Sequence, residues 1–265
     1  MNNYRNMIKQ TFITLLFTLS IAVNSQNVDL RGTYQGENLY VQNPFASSGV
    51  GFCIYEVTVN GMTTTDEINS SAFEIDLTVF GFDIGEEISV SVKCKESCTA
   101  RVLNPDVLKP RATFEIIKIN VEGSNVVWTT RNESGAIPFH VEQFKWNKWV
   151  TVGEINGKGH WEENSYSAPV RFHSGENRFR IRQTDSRNVS KYSKEVKIRS
   201  KVQPVTYSIE KNSQVVFSQP TMYEIYDYYG RIVFKGVGDA VNISSLERGR
   251  YYLNYDNKLD MFNKR

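Results

Sequence analysis

Five side chains in the middle of this sequence have the types and spacing to recognise a ligand. Arg178, Arg180 and Arg182 alternate with Phe179 and Ile181. In an extended strand that period places all three guanidinium groups on one face. There, permanently charged, fork-shaped donors could grip phosphate or carboxylate groups of a surface polysaccharide. An ordinary solvated face, or a dock for an acidic neighbour, would carry the same pattern, because exposed strand faces are normally charged. Trp146 and Trp149, with Phe144 and Trp161 close by in sequence, could stack against sugar rings. Large aromatics also fill sandwich cores, and that is the reading favoured here. Strand alternation puts Phe144 and Trp146 on a common face.

Chemistry beyond binding finds no footing. The three histidines, His140, His160 and His173, form no metal-binding spacing with a glutamate between them. There is no Gly-x-Ser-x-Gly elbow and no phosphate-cradling loop. The acidic pairs Asp66-Glu67 and Glu86-Glu87 read as solvated loop acids. The expectation is therefore a protein that is not an enzyme and has no catalytic residues, metal or cofactor. The three cysteines are Cys53, Cys94 and Cys98. An oxidising compartment allows one disulfide and leaves one thiol over. Cys53–Cys98 is the favoured pair; Cys94–Cys98 would need the chain to turn at Glu96-Ser97. A metal site lacks a second cysteine pair or a nearby histidine.

These residues must be positioned by strands. Aromatic residues make up 12% of 265 residues, and no long stretch has helical spacing, so the chain reads as all-β with two or three small domains. Arg5, Lys9 and the apolar run Phe12–Val23 form a secretory signal over residues 1–25, with Val23 and Ser25 before a cut ahead of Gln26. The protein is thus expected to be exported. Residues 26–110 form a first sandwich. It contains a strand from Leu39 ending near Pro44, a strand Phe52–Val59 running into the hairpin turn Asn60-Gly61, and strands Phe73–Val79 and Ile88–Val92. Asn104-Pro105 and Lys109-Pro110 mark an extended but packed linker. Residues 111–202 hold strands at Phe114–Val121, Asn125–Thr130 with Trp128 in the core, Phe139–Phe144, Trp149–Ile155, Asn177–Gln183 and Ser193–Ile198. Charge divides by domain: residues 27–110 carry 5 basic and 12 acidic side chains, residues 111–202 carry 16 and 10, and residues 203–265 carry 8 and 7. Opposed charge suggests docking between neighbours, or a basic face for an acidic partner. Nucleic acid is not expected as a partner of an exported chain with balanced total charge.

Two segments near the C-terminus carry a resemblance. Tyr226-Asp227-Tyr228-Tyr229-Gly230-Arg231-Ile232-Val233 and Leu246-Glu247-Arg248-Gly249-Arg250-Tyr251-Tyr252-Leu253 resemble the paired signatures of type A C-terminal sorting domains. These belong to substrates of the type IX secretion system of Bacteroidetes-type bacteria. The basic Lys258–Arg265 is similar to the family's tail, while Val215–Pro220 stands where the family has a Pro-Asn-Pro turn. The resemblance implies that residues 203–265 are an address. The outer-membrane translocon and its shuttle protein would read it after passage through the periplasm, leaving the protein on the cell surface or outside the cell. Tyr226, Asp227, Gly230, Arg231, Leu246, Gly249, Tyr251, Lys258, Lys264 and Arg265 are the residues it singles out. Gly230 and Gly249 are expected in turns that a side chain would penalise. Lys258–Arg265 is expected to be dispensable for a fold that forms without the other domains.

The first domain is similar to small immunoglobulin-like modules of exported proteins. Val141-Glu142, Trp149, Val152-Gly153, Gly157-Lys158-Gly159, Phe179–Asp185 and Tyr192-Ser193 make the second resemble a fibronectin type III-like module. Such modules act as spacers or adaptors. The expected role is adaptor or adhesion at the surface, towards polysaccharide or another surface protein. The alternative is a carbohydrate-binding module or an accessory subunit of a secreted hydrolase.

Overall fold

The computed structural model describes residues 27–265; the signal segment and its cleavage position lie outside the described residues. The chain is all-β, 54% strand and 3% helical, and built of several sheets. Three separate apolar cores organise it.

The first core lies between two sheets. One has the order β1 (Val28–Thr33), β6 (Glu87–Cys94), β3 (Ile54–Val59), β4 (Met62–Thr63), and the other β5 (Ala72–Ile75), β2 (Leu39–Gln42), β7 (Arg101–Val102). Alternation dictates which side chains enter. In β6, Ile88, Val90, Val92 and Cys94 are buried while Glu87 and Ser89 face water. Asn60 and Gly61 both have positive φ, 47° and 80°, as a two-residue hairpin turn between β3 and β4 requires. A disulfide joins Cys53 to Cys98 with Cα atoms 5.9 Å apart, and Cys94 is a free, buried thiol.

Two expectations fail in this domain. The strand expected over Phe73–Val79 stops at Ile75, and Thr78–Phe80 form a 3-10 turn. Asp76 causes the break: its carboxylate accepts the Thr78 N–H at 2.9 Å and the Thr78 hydroxyl at 2.6 Å, a local bond that competes with the ladder. The linker is not extended either. Pro105–Leu108 form a 3-10 turn, tolerated because proline needs no N–H partner at the first helical position. Asn104 pins it, accepting from Tyr40 N–H at 2.7 Å and donating to the Asn38 carbonyl at 2.9 Å.

The second core lies between the sheet β12 (Asn164–Pro169), β9 (Asn125–Arg131), β8 (Glu115–Glu122) and the sheet β11 (Lys148–Ile155), β10 (Phe139–Lys145), β13 (Glu176–Thr184), β14 (Ser190–Tyr192), with β15 (Val196–Arg199) continuing along β13. Trp128 stacks on Tyr166 with ring centroids 5.2 Å apart, and Phe139 packs edge-on against Trp128. The first two domains meet at a tight seam. Gln35 and Thr33 donate to the Ser134 carbonyl at 2.7 and 3.1 Å, and Arg111 pairs with Glu37 at 2.5 Å. A Cβ at Gly135 would stand 2.5 Å from Cγ of Pro110, and its φ of +143° already excludes most side chains.

The third core is enclosed by β16 (Tyr207–Glu210), β17 (Gln214–Tyr226), β18 (Ile232–Asn242), β19 (Gly249–Tyr255) and β20 (Lys258–Lys264). Strand β17 serves two neighbourhoods. Its first half pairs with β16 and its second with β19, while β18 follows it past a register shift between Val216 and Thr221. Two expectations are corrected. Gly249 opens β19 without a positive φ, and an added Cβ would meet nothing within 4 Å. By contrast, Gly230 has φ +79° in the Asp227–Arg231 turn, so only this glycine carries the backbone demand. Lys258–Arg265 is not a dispensable tail. Seven residues of it pair with β19, Phe262 enters the core, and Lys258 Nζ donates to the Val205 carbonyl at 2.9 Å.

Candidate functional site

The arginine ladder exists, and most of its charge is matched by neighbouring carboxylates. Arg178, Arg180 and Arg182 share the outer face of β13. Glu142, directly across from Arg180 on β10, accepts from Arg180 and Arg182 Nε at 2.7 Å each, and Arg178 makes two 2.9 Å bonds to Glu195. Aromatic rings fill the gaps between guanidinium planes. Arg178 lies 4.5 Å from the Phe144 ring, and Arg180 lies 4.2 and 4.3 Å from the rings of Trp149 and Tyr192. Three cations meet two carboxylates: Arg178 spends its fork on Glu195, while Arg180 and Arg182 share Glu142 through Nε and leave one net positive charge on the face. This face does not dock the acidic first domain, whose ion pair with the second uses Arg111.

The tryptophans separate. Trp149, read as core, stands on the outer face within the ladder. Trp146 is not in the strand with Phe144. With Asn147 it forms the β10–β11 turn, at φ 54° and 59°, and it is buried beneath the Lys145 ammonium, 5.1 Å from its ring. Trp161 is 47% exposed on another loop. No single flat platform results.

The residues singled out near the C-terminus divide by role. Asp227 organises its turn, accepting N–H bonds from Tyr229 and Arg231 at 2.9 Å each and a 2.6 Å bond from Arg231 Nε. Beside it, Tyr228 and Tyr229 are 70% and 80% exposed. Leu246 and Tyr251 pack into the third core. Lys264 bonds the Asn212 carbonyl, and the Arg265 N–H donates to Asn212 Oδ1 at 3.0 Å. Tyr226 faces the second domain, where Lys148 Nζ reaches its hydroxyl at 2.8 Å and Glu224 at 2.6 Å.

A cleft of about 770 Å³ lies between the second and third domains. Its polar residues went unnoticed in the sequence because Asp256 lies far along the chain from Gln143, Lys145 and His173. Asp256 is buried, and its carboxylate accepts from Ser174 N–H at 2.8 Å, the Ser174 hydroxyl at 2.5 Å and Val205 N–H at 3.2 Å. His173 is buried with Nδ1 2.7 Å from the Ser174 carbonyl, and desolvation pushes its pKa below the ordinary value. Gln143 spends both amide protons on the Arg171 carbonyl and Asn177. Two groups are exceptions. His173 Nε2 is buried with no hydrogen-bond partner. Lys145 is 4% exposed, and among the described residues it makes no ion pair and no side-chain hydrogen bond, its ammonium resting over the Trp146 ring. Burial pushes its pKa down to about 8, against the attraction of Asp256 and Glu224.

This ammonium costs stability. The folded chain holds the Lys145 proton less tightly than the unfolded chain, so stability should rise as pH climbs from about 8 towards 10.5. Lys145→Met should stabilise the protein by about 2–3 kcal/mol at pH 7 and flatten that rise. Urea titrations at pH 7 and 10 check this; a variant less stable than the parent at pH 7 would contradict it.

No family model matches the chain, and no curated protein matches it. Among solved structures it is similar to a tetra-tandem repeat in the extending region of a large adhesion protein, at 12% identity and TM-score 0.33 over 90% of this chain and 70% of that one. It is also similar to the FN1-FN3 domains of chicken CNTN1, at 9% identity and TM-score 0.25 over 92% and 95% of the two chains. A third likeness, to a β-glucuronidase from Ruminococcus gnavus at 15% identity and TM-score 0.19, covers 72% of this chain and 38% of that enzyme.

Proposed function

We propose that this protein is an exported, non-enzymatic surface module with an adaptor or adhesion role, addressed by residues 203–265 to the type IX outer-membrane translocon. The observation that carries the reading is the pair of segments Tyr226–Val233 and Leu246–Leu253, in family order. Tyr228, Tyr229 and Arg231 supply what a receptor could read: two aromatic rings and a guanidinium on a turn whose backbone is fixed by Asp227. The two sandwiches ahead of it act as spacer and contact surface.

The test uses the whole chain in a host with a type IX system. Surface, periplasmic and medium fractions are measured for the parent and for the double variant Tyr229→Ala, Arg231→Ala. These side chains hold no core position, so melting should be unchanged. The parent should leave the periplasm and the variant should accumulate there. A parent retained in the periplasm, or a variant exported as well as the parent, overturns the address.

A further inference from the structure

We propose that the cleft between the second and third domains binds an amphipathic monocarboxylate: an apolar body ending in one carboxylate that pairs with Lys145. The volume lies within the range of small-ligand sites. About half of its wall is apolar, with Val152, Val170 and Phe172 from the second domain and Val205, Met222 and Val237 from the third, and Arg171 lies on the polar remainder with Lys145 and Asp256. Such walls take an apolar body.

Electrostatics select the head group. A buried ammonium without an acceptor is costly, and neither nearby carboxylate is free to answer Lys145. Asp256 spends its oxygens on three bonds from the neutral donors of Ser174 and Val205, so its charge attracts Lys145 without accepting a hydrogen bond from it. Glu224 is held by Lys148 and by the Tyr226 hydroxyl. Gln143 has no amide proton left for a ligand. Two groups of the floor therefore lack a hydrogen-bond partner, the Lys145 ammonium and His173 Nε2. A single carboxylate supplies the acceptor that the ammonium lacks. A second negative charge would meet Asp256 and Glu224, an amine would meet Lys145, and a neutral head would leave the ammonium unpaired.

The probe is octanoate, with 1-octanol and octylamine as matched chains, titrated calorimetrically into the full mature chain at pH 7. Octanoate should bind, with octanol at least tenfold weaker and octylamine without measurable heat. Lys145→Met should weaken octanoate at least tenfold. Because that variant is expected to be more stable than the parent, lost binding cannot be put down to unfolding. Val237→Trp, which narrows the mouth from the third domain and leaves Lys145 in place, should also weaken it. The proposal is overturned if octanoate does not bind the parent, if it binds Lys145→Met equally well, or if octanol matches it.

Discussion

Replacing Trp128 by alanine will lower the stability of the second domain by about 3–5 kcal/mol. The ring is 2% exposed, stacked on Tyr166 and met edge-on by Phe139, so its loss opens a cavity bounded by both sheets. The indole N–H has no partner in the core, so no lost hydrogen bond complicates the result. Trp149→Ala is the control. The sequence pattern ranks the two tryptophans alike, but Trp149 lies on the outer face against Arg178 and Arg180. There the loss should be nearer 1 kcal/mol, the scale of exposed stacking on a cation. Urea denaturation of the two variants decides. Equal losses would mean that the ladder, rather than the interior, holds the sandwich.

The second large effect belongs to the first domain. The Cys53–Cys98 bridge closes a loop spanning a sequence separation of 45 residues. Constraining the unfolded chain over that length is worth about 4 kcal/mol in the loop-entropy description. Cys98→Ala should cost the first domain a comparable amount and leave unfolding of the other two sandwiches in place. Parallel denaturation with and without a phosphine reductant provides the same reading without a substitution. The denatured, unreduced parent should titrate one thiol, that of Cys94. Two further thiols, or no change in the first transition on reduction, would contradict the assignment.

The sequence was most readable where a strand alternates strongly or a turn needs a special backbone. β6, β9, β10 and β13 are visible in their alternation, and Asn60-Gly61 in its turn chemistry. β12 escaped because Asn164-Ser165-Tyr166-Ser167-Ala168-Pro169 buries an asparagine, a tyrosine and an alanine, residues that do not announce a buried face. Lys258–Arg265 resembled a tail because its charges are evident and its pairing with β19 is not. The arginines were correctly placed on one face, but Glu142 is a cross-strand neighbour and becomes visible only when register is known. Lys145 and Asp256 could not be read together at all: a site assembled by docking two domains has no local signature.

The seam around Ser134 and the cleft beside Lys145 also differ as joints. At the seam, Pro110 fits against the bare backbone of Gly135 and buried donors converge on one carbonyl, so there is no room for the first two sandwiches to swing. At the second joint the ties are polar: buried Asp256 takes two bonds from Ser174, and Lys148, 41% exposed, reaches Glu224 and the Tyr226 hydroxyl. The first joint is therefore held chiefly by shape and the second chiefly by charge.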